Sequence, residues 1–164
     1  MVPWSRRPGV GLAALTCAAL LATACASQAP SPPAKVTRGQ LADRYLAIAE
    51  AGNRHLERDL GRLEGRDRTQ LAAAKADLAD AAATERLFDH RLSLIKFSPP
   101  IEPIASLLYR LNQARASVTA AAARSTTLPQ LRVWLERLER ENAAVEDAVR
   151  VIRSQLGLPP PSTS

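Results

Sequence analysis

The chain has 164 residues, 46% of them hydrophobic but only 4% aromatic, and 22 Lys and Arg against 16 Asp and Glu leave a net charge of +6. That length is one domain's worth, and abundant Ala with few aromatics favours closely packed helices over a sheet. Cys17 and Cys25 are the two cysteines, which excludes a disulfide framework and leaves stability to packing.

The first residues, Met1 to Arg7, hold two cations, Arg6 and Arg7, and no acid, and from Gly9 to Leu21 nothing is charged. This is a positive n-region followed by an apolar h-region of secretory type. The apolar run falls short of the roughly 20 residues that a membrane-crossing helix needs. Leu21-Ala22-Thr23-Ala24 then leads into Cys25. Small residues before the cleaved bond suit a narrow peptidase pocket. A Cys at the first mature position resembles the lipobox of bacterial lipoproteins, although Ala22 stands where that motif more often has Leu. By this resemblance Cys25 receives a diacylglycerol thioether, residues 1–24 are a signal peptide cut away before it, and the new amine is open to acylation. The alternative is an ordinary secretory cut after Ala24 that leaves a free thiol. "SRRPGV" is similar to a twin-arginine signal, but Pro8 and Gly9 interrupt it, so Sec export is the default reading. "CASQAPSPPAK" follows, with Pro30, Pro32 and Pro33. Residues 25–36 thus read as the lipidated Cys and a Pro/Ser-rich linker, a semi-rigid spacer of about 3.1 Å per residue.

Four helices follow, each with punctuation at its ends. Thr37 and Gln40 form a capping box that opens the first, with Val36 placed to staple onto Leu41. Leu41, Tyr45, Ile48, Gly52, Leu56, Leu60 and Leu63 recur at helical spacing, and Gly65 ends the run. Asp67 and Gln70 repeat the box pattern before Leu71, Ala74, Leu78, Ala81, Glu85, Phe88, Leu92 and Ile95, and "SPP" at 98–100 stops this second helix. Pro103 suits the first turn of the third, where its missing N–H costs nothing. Ile104, Leu107, Leu108, Leu111, Arg115, Val118 and Ala122 carry that helix. "RSTTLPQ" breaks it, and Thr127 with Gln130 caps the fourth. Leu131, Leu135, Leu138, Asn142, Val145, Val149, Ile152 and Leu156 follow, with Gly157 as a left-handed cap and prolines forbidding continuation.

Strand-like alternation is missing throughout, and the connections are short. The expected fold is all-α: an antiparallel up-down-up-down four-helix bundle over 37–157, with a disordered tail over 158–164. A long helical hairpin that completes its core by dimerising, as coiled coils do, is the alternative. "YLAIAEAGNRHLERDLGRL", "DAAATERLFDHRL" and "QLGLPPP" together resemble a family of small helical actinobacterial lipoproteins that carry no assigned activity. The resemblance implies export and helical architecture, and it brings no catalytic residues.

Reflecting the chain at its turns places Tyr45, Glu85, Asn112 and Asn142 within about one helical turn of each other. Glu85 and Asn142 occupy stripe positions that their neighbours fill with apolar groups, and a buried carboxylate must be paired or neutral. The four read as a polar core layer that sets helix register or as the wall of a ligand pocket. Small side chains at Ala72–Ala74 and Ala120–Ala123 predict a narrow end, and Phe88, Ile95, Phe97 and Ile152 a wider, membrane-proximal one. Arg54, Arg58 and Arg62 form an i, i+4 ladder, either a dock for anionic lipid or wall polymer or a solvated face neutralised by a neighbouring helix. His55 and His90 lack the Glu-x-x-His pattern of di-iron bundles, and no metal or other cofactor is expected. A nucleophile elbow, a phosphate loop and a zincin helix are all missing. The expectation is therefore a non-catalytic interaction domain, tethered through the lipid on Cys25 to the outer face of the cell membrane, with an envelope protein or anionic polymer as partner and no nucleic acid. The alternative is a ligand-binding bundle with an apolar, membrane-proximal pocket beside Glu85.

Overall fold

The computed structural model describes residues 36–65, 67 and 69–161. The expected signal peptide, Cys25, most of the expected linker and residues 162–164 of the expected tail lie outside the described residues. Four helices make up the fold: α1 (Arg38–Glu64), α2 (Leu71–Ser93), α3 (Glu102–Ala122) and α4 (Leu128–Leu156). The described residues contain no strand. None of the described helices is long and apolar enough to cross a membrane.

Side chains cap the starts of α1 and α4, while α3 begins with Pro103 in its first turn and no side-chain cap bond. Thr37 takes an extended conformation, and its hydroxyl accepts from the Gln40 backbone N–H at 3.2 Å while Gln40 Oε1 accepts from the Thr37 N–H at 2.9 Å. Two otherwise orphaned donors are satisfied reciprocally. Thr127 opens α4 in the same way, but the Gln130 side chain reaches one residue further back, to the Thr126 N–H at 2.8 Å. Gly157 closes α4 with φ 75°, the left-handed region that a Cβ disfavours. In α2 the expected cap does not form. Gln70 itself takes the cap position there and makes no side-chain cap bond, so the Asp67–Gln70 box does not form. The Gln70 N–H instead bonds to the Asp67 carbonyl at 3.0 Å in a tight turn. Helix α2 also ends at Ser93, short of Ile95. Ser98 starts the next turn, its carbonyl accepting from the Ile101 and Glu102 N–H groups at 2.8 and 2.9 Å. That turn drives Ile101 into the core. Val36 remains exposed, which leaves it outside the core that Leu41 joins.

Each helix buries one stripe, and the stripes assemble two apolar clusters. One contains Leu41, Tyr45, Leu92, Ile101, Leu108, Val145 and Ile152, with Phe88, Ile95 and Phe97 packed against it. The other contains Leu63, Ala74, Leu78, Val118, Ala122, Leu131 and Leu138. The first holds nearly all the large rings, and the second is built on alanine and leucine, as the distribution of side-chain sizes along the sequence predicts. Helix α1 packs along α2, α2 along α3 and α3 along α4, whereas α1 and α4 touch far less. One link across that sparse contact is a hydrogen bond from Arg38 Nη2 to the Ser154 carbonyl at 2.8 Å.

Candidate functional site: a charged group beside an internal cavity

Between the two apolar clusters, α2 and α3 contribute charged and polar side chains to the interior. Glu85 and Asp89 lie one turn apart on the same face of α2, and each is only 4% exposed. Asn112, Arg115 and Thr119 lie on the facing stripe of α3. Asn112 Nδ2 donates to Asp89 Oδ1 at 2.9 Å and to the Glu85 backbone carbonyl at 3.2 Å. Its other end, Oδ1, accepts from Arg115 Nη2 at 2.7 Å. Arg115 Nε lies 3.0 Å from Glu85 Oε1, an ion pair whose N–H does not point along the line between the two atoms. Thr119 adds a long contact of 3.5 Å to the same oxygen. The second carboxylate oxygen, Glu85 Oε2, is buried and has no hydrogen-bond partner among the described residues.

Burial dominates the acid–base character of this group. It raises the Glu85 pKa above the ordinary carboxyl value, against the opposing pull of Arg115 and Thr119. It lifts Asp89 from 3.8 to about 6, with the Asn112 hydrogen bond and Arg115 acting the other way. Tyr45, 1% exposed, is pushed by burial up to about 12 despite the nearby Arg153 charge. Its hydroxyl makes no hydrogen bond among the described residues.

A partly enclosed cavity of about 190 Å³ borders the group. All four helices line it: Tyr45, Ala49 and Leu56 from α1, Glu85 and Phe88 from α2, Leu108, Asn112 and Arg115 from α3, and Val145, Val149 and Arg153 from α4, with Pro161 beyond them. Most of the wall is apolar, and its polar members come from all four helices: Tyr45 and Asn53 on α1, Thr84 and Glu85 on α2, Asn112 and Arg115 on α3, Glu146 and Arg153 on α4.

Of the residues picked out in the sequence, Tyr45, Glu85 and Asn112 meet at this cavity. Asn142 does not join them. It is half-buried on α4, outside the cavity wall, and makes no side-chain hydrogen bond among the described residues. Arg115, Asp89 and Thr119 complete the group. Arg115 was visible as a cation on the apolar stripe of α3, where a buried Glu on the neighbouring stripe requires a partner. Asp89, one turn from Glu85, carried no comparable signal because an exposed Asp on α2 would look the same.

The arginine ladder does not present three free cations. Arg62 Nε donates to Asp77 Oδ1 at 2.7 Å and its Nη2 to Asp59 Oδ1 at 2.9 Å. Asp59 and Asp77 are each 4% exposed, so Arg62 is held at the contact between the end of α1 and the start of α2. Arg54 and Arg58 remain exposed, and Arg58 contacts His55. His55 and His90 are both exposed, and no group of three or more potential metal ligands occurs among the described residues. Family models, curated proteins and solved structures return no match to the chain.

Proposed function

We propose that the protein is an exported lipoprotein whose helical domain binds a small ligand in the cavity beside Glu85. This departs from the surface-interaction role expected from the sequence, and the observation that carries it is the cavity itself. A core serving only to hold four helices in register would close around Glu85 and satisfy both carboxylate oxygens. Here a partly enclosed space lies against a buried charged group with one oxygen unsatisfied.

An antiparallel up-down-up-down bundle is the topology this reading requires. The links described above favour it: Arg62 to Asp77 across the first turn, Asn112 to Asp89 between α2 and α3, and Arg38 to Ser154 between the first and last helices. Lipidation at Cys25 places the domain on the outer face of the membrane, with the linker of residues 25–36 as spacer. In this reading the site is a binding site, in which Glu85 and Arg115 neutralise each other.

Two measurements test the proposal. Cys25→Ser is expected to abolish fatty-acid labelling and release the protein from the membrane fraction, and continued labelling would defeat the lipid anchor. For the pocket, the full chain in detergent is titrated with small aromatic probes while the side-chain resonances of Tyr45, Leu108 and Val145 are followed by NMR. Saturable shifts confined to those residues are expected, with loss of binding in Ala49→Leu, which fills the cavity. The absence of any such shift with every probe would refute the ligand-binding reading.

A further inference from the structure

We infer that Leu158–Pro161 form a strap across the mouth of the cavity and control entry to it. This rests on the ligand-binding reading above and adds how that site is opened and closed. Exposure locates the mouth. Tyr45, Glu85, Leu108, Asn112 and Val145 are buried members of the wall, whereas Asn53 on α1 and Glu146 on α4 are exposed. The opening therefore lies between α1 and α4, which touch far less than the helices that follow one another in the chain. Pro161, beyond the end of α4, is half-buried in the same wall.

Local chemistry brings the segment there. Gly157 at φ 75° turns the chain off the axis of α4, and the Leu158 N–H closes the turn on the Arg153 carbonyl at 2.8 Å. The Leu158 side chain packs against the apolar cluster that holds Tyr45 and Ile152. Arg153 Nε then donates to the Pro159 carbonyl at 2.6 Å. Arg153 is itself a wall residue, so one guanidinium fastens the segment to the rim of the cavity. Three consecutive prolines, Pro159, Pro160 and Pro161, suit a cover. They carry no N–H, so lying against an apolar wall strands no backbone donor. Their fixed φ angles leave little freedom to lose when the segment settles. The fastening is light: beyond Leu158, the Arg153 bond is the one hydrogen bond that ties the segment to a helix among the described residues. A strap that pivots at Gly157 and is held by that bond lifts without disturbing a helix.

Thiol reactivity tests the strap without any ligand, because local opening sets how fast a buried group reacts. Ala49→Cys places a thiol in the cavity wall and Ala74→Cys places one in the other apolar cluster. Each is made in the Cys25→Ser chain, whose own labelling is subtracted, and in a shortened chain that stops after Leu158 and so keeps every helix. Removing residues 159–164 is expected to raise the rate of modification by methyl methanethiosulfonate about tenfold or more at position 49, and to leave position 74 within about twofold. Equal rates at position 49 in the two chains overturn the strap. So does a parallel rise at both positions, which marks general loosening. Pro160→Gly with Pro161→Gly, in a chain of full length, should raise the rate at position 49 about threefold or more, and no rise there overturns the strap as well. Benzyl alcohol, titrated in detergent into the unaltered and the shortened chains, separates the strap from the reading on which it rests. Binding and release about tenfold faster in the shortened chain are expected, and unchanged rates overturn the control of entry. Absence of binding to either chain overturns the ligand-binding reading, while the thiol rates still decide the strap.

Discussion

Replacing Arg115 with Met removes the cation beside Glu85 while keeping most of the volume of the side chain's stem. Glu85 Oε1 then retains only the 3.5 Å contact to Thr119, and Oε2 already has no partner. Breaking one partner of a buried pair typically costs about 3–5 kcal/mol. Proton uptake sets a ceiling on that figure. A carboxyl of ordinary pKa 4.5 can be neutralised at pH 7 for about 3.4 kcal/mol, at about 1.36 kcal/mol per pH unit. The expected loss at pH 7 is thus about 3 kcal/mol. At pH 5 the same escape costs about 0.7 kcal/mol, so the variant should recover most of its stability on acidification. Urea unfolding monitored by circular dichroism at the two pH values measures both numbers. Adding Glu85→Gln to the variant should reduce the pH dependence of the loss, leaving only the part carried by Asp89, whose carboxyl Arg115 also holds down. A loss below about 1 kcal/mol at pH 7, unchanged at pH 5, would refute the view that Arg115 carries the Glu85 charge.

Tyr45 gives a second, alkaline signature. Its folded pKa of about 12 lies above the ordinary 10.0, so the folded chain holds a proton that the unfolded chain releases. Its contribution is intact below pH 10 and lost as the pH rises toward 12. Tyr45→Phe should flatten that part of the stability curve in a pH series of urea melts. At the other end of the fold sequence, Gly157→Ala forces an L side chain to φ 75°, a strain of about 1–2 kcal/mol. The new Cβ would also sit 3.4 Å from the Arg38 guanidinium. A fall in Tm of about 4–8 °C is expected, and an unchanged Tm would show that the left-handed cap bears no strain.

The helices were legible because their signals are local. A Thr three residues before a Gln, a Pro in a first turn and a Gly before a proline run each act within a few residues, and apolar spacing marks the buried stripe. The cap of α2 failed because Asp67 and Gln70 fell inside a tight turn, where the backbone of one satisfies the other before a helix begins. The site was half legible. Glu85 and Asn112 stood out as polar breaks in apolar stripes, and folding the chain at its turns brought them together with Tyr45. The same construction placed Asn142 with them, because spacing fixes which stripe a residue occupies and not how closely two stripes approach. The sparse meeting of α1 and α4 is a property of side-chain volumes summed over four helices. For Arg62 the alternative of a face neutralised by a neighbouring helix fits, since Asp77 of α2 pairs with it, but an i, i+4 ladder shows cations on one face without showing which acid claims which.

The bond from Arg38 to Ser154 spans 116 residues of sequence but joins the first helical residue of the fold to the last turn of its final helix. The run from Arg38 to Ser154 therefore almost closes on itself. A short glycine–serine bridge from the end of α4 to Thr37 would close it, and the tight turn between α1 and α2 offers a place to open it again. New chain ends would then emerge at the alanine-rich pole, beside the paired Arg62, with all four helices retained in cyclic order. In the native order, the first turn of α1 and the last turn of α4 lie side by side, so segments attached at Thr37 and after Gly157 start from neighbouring points.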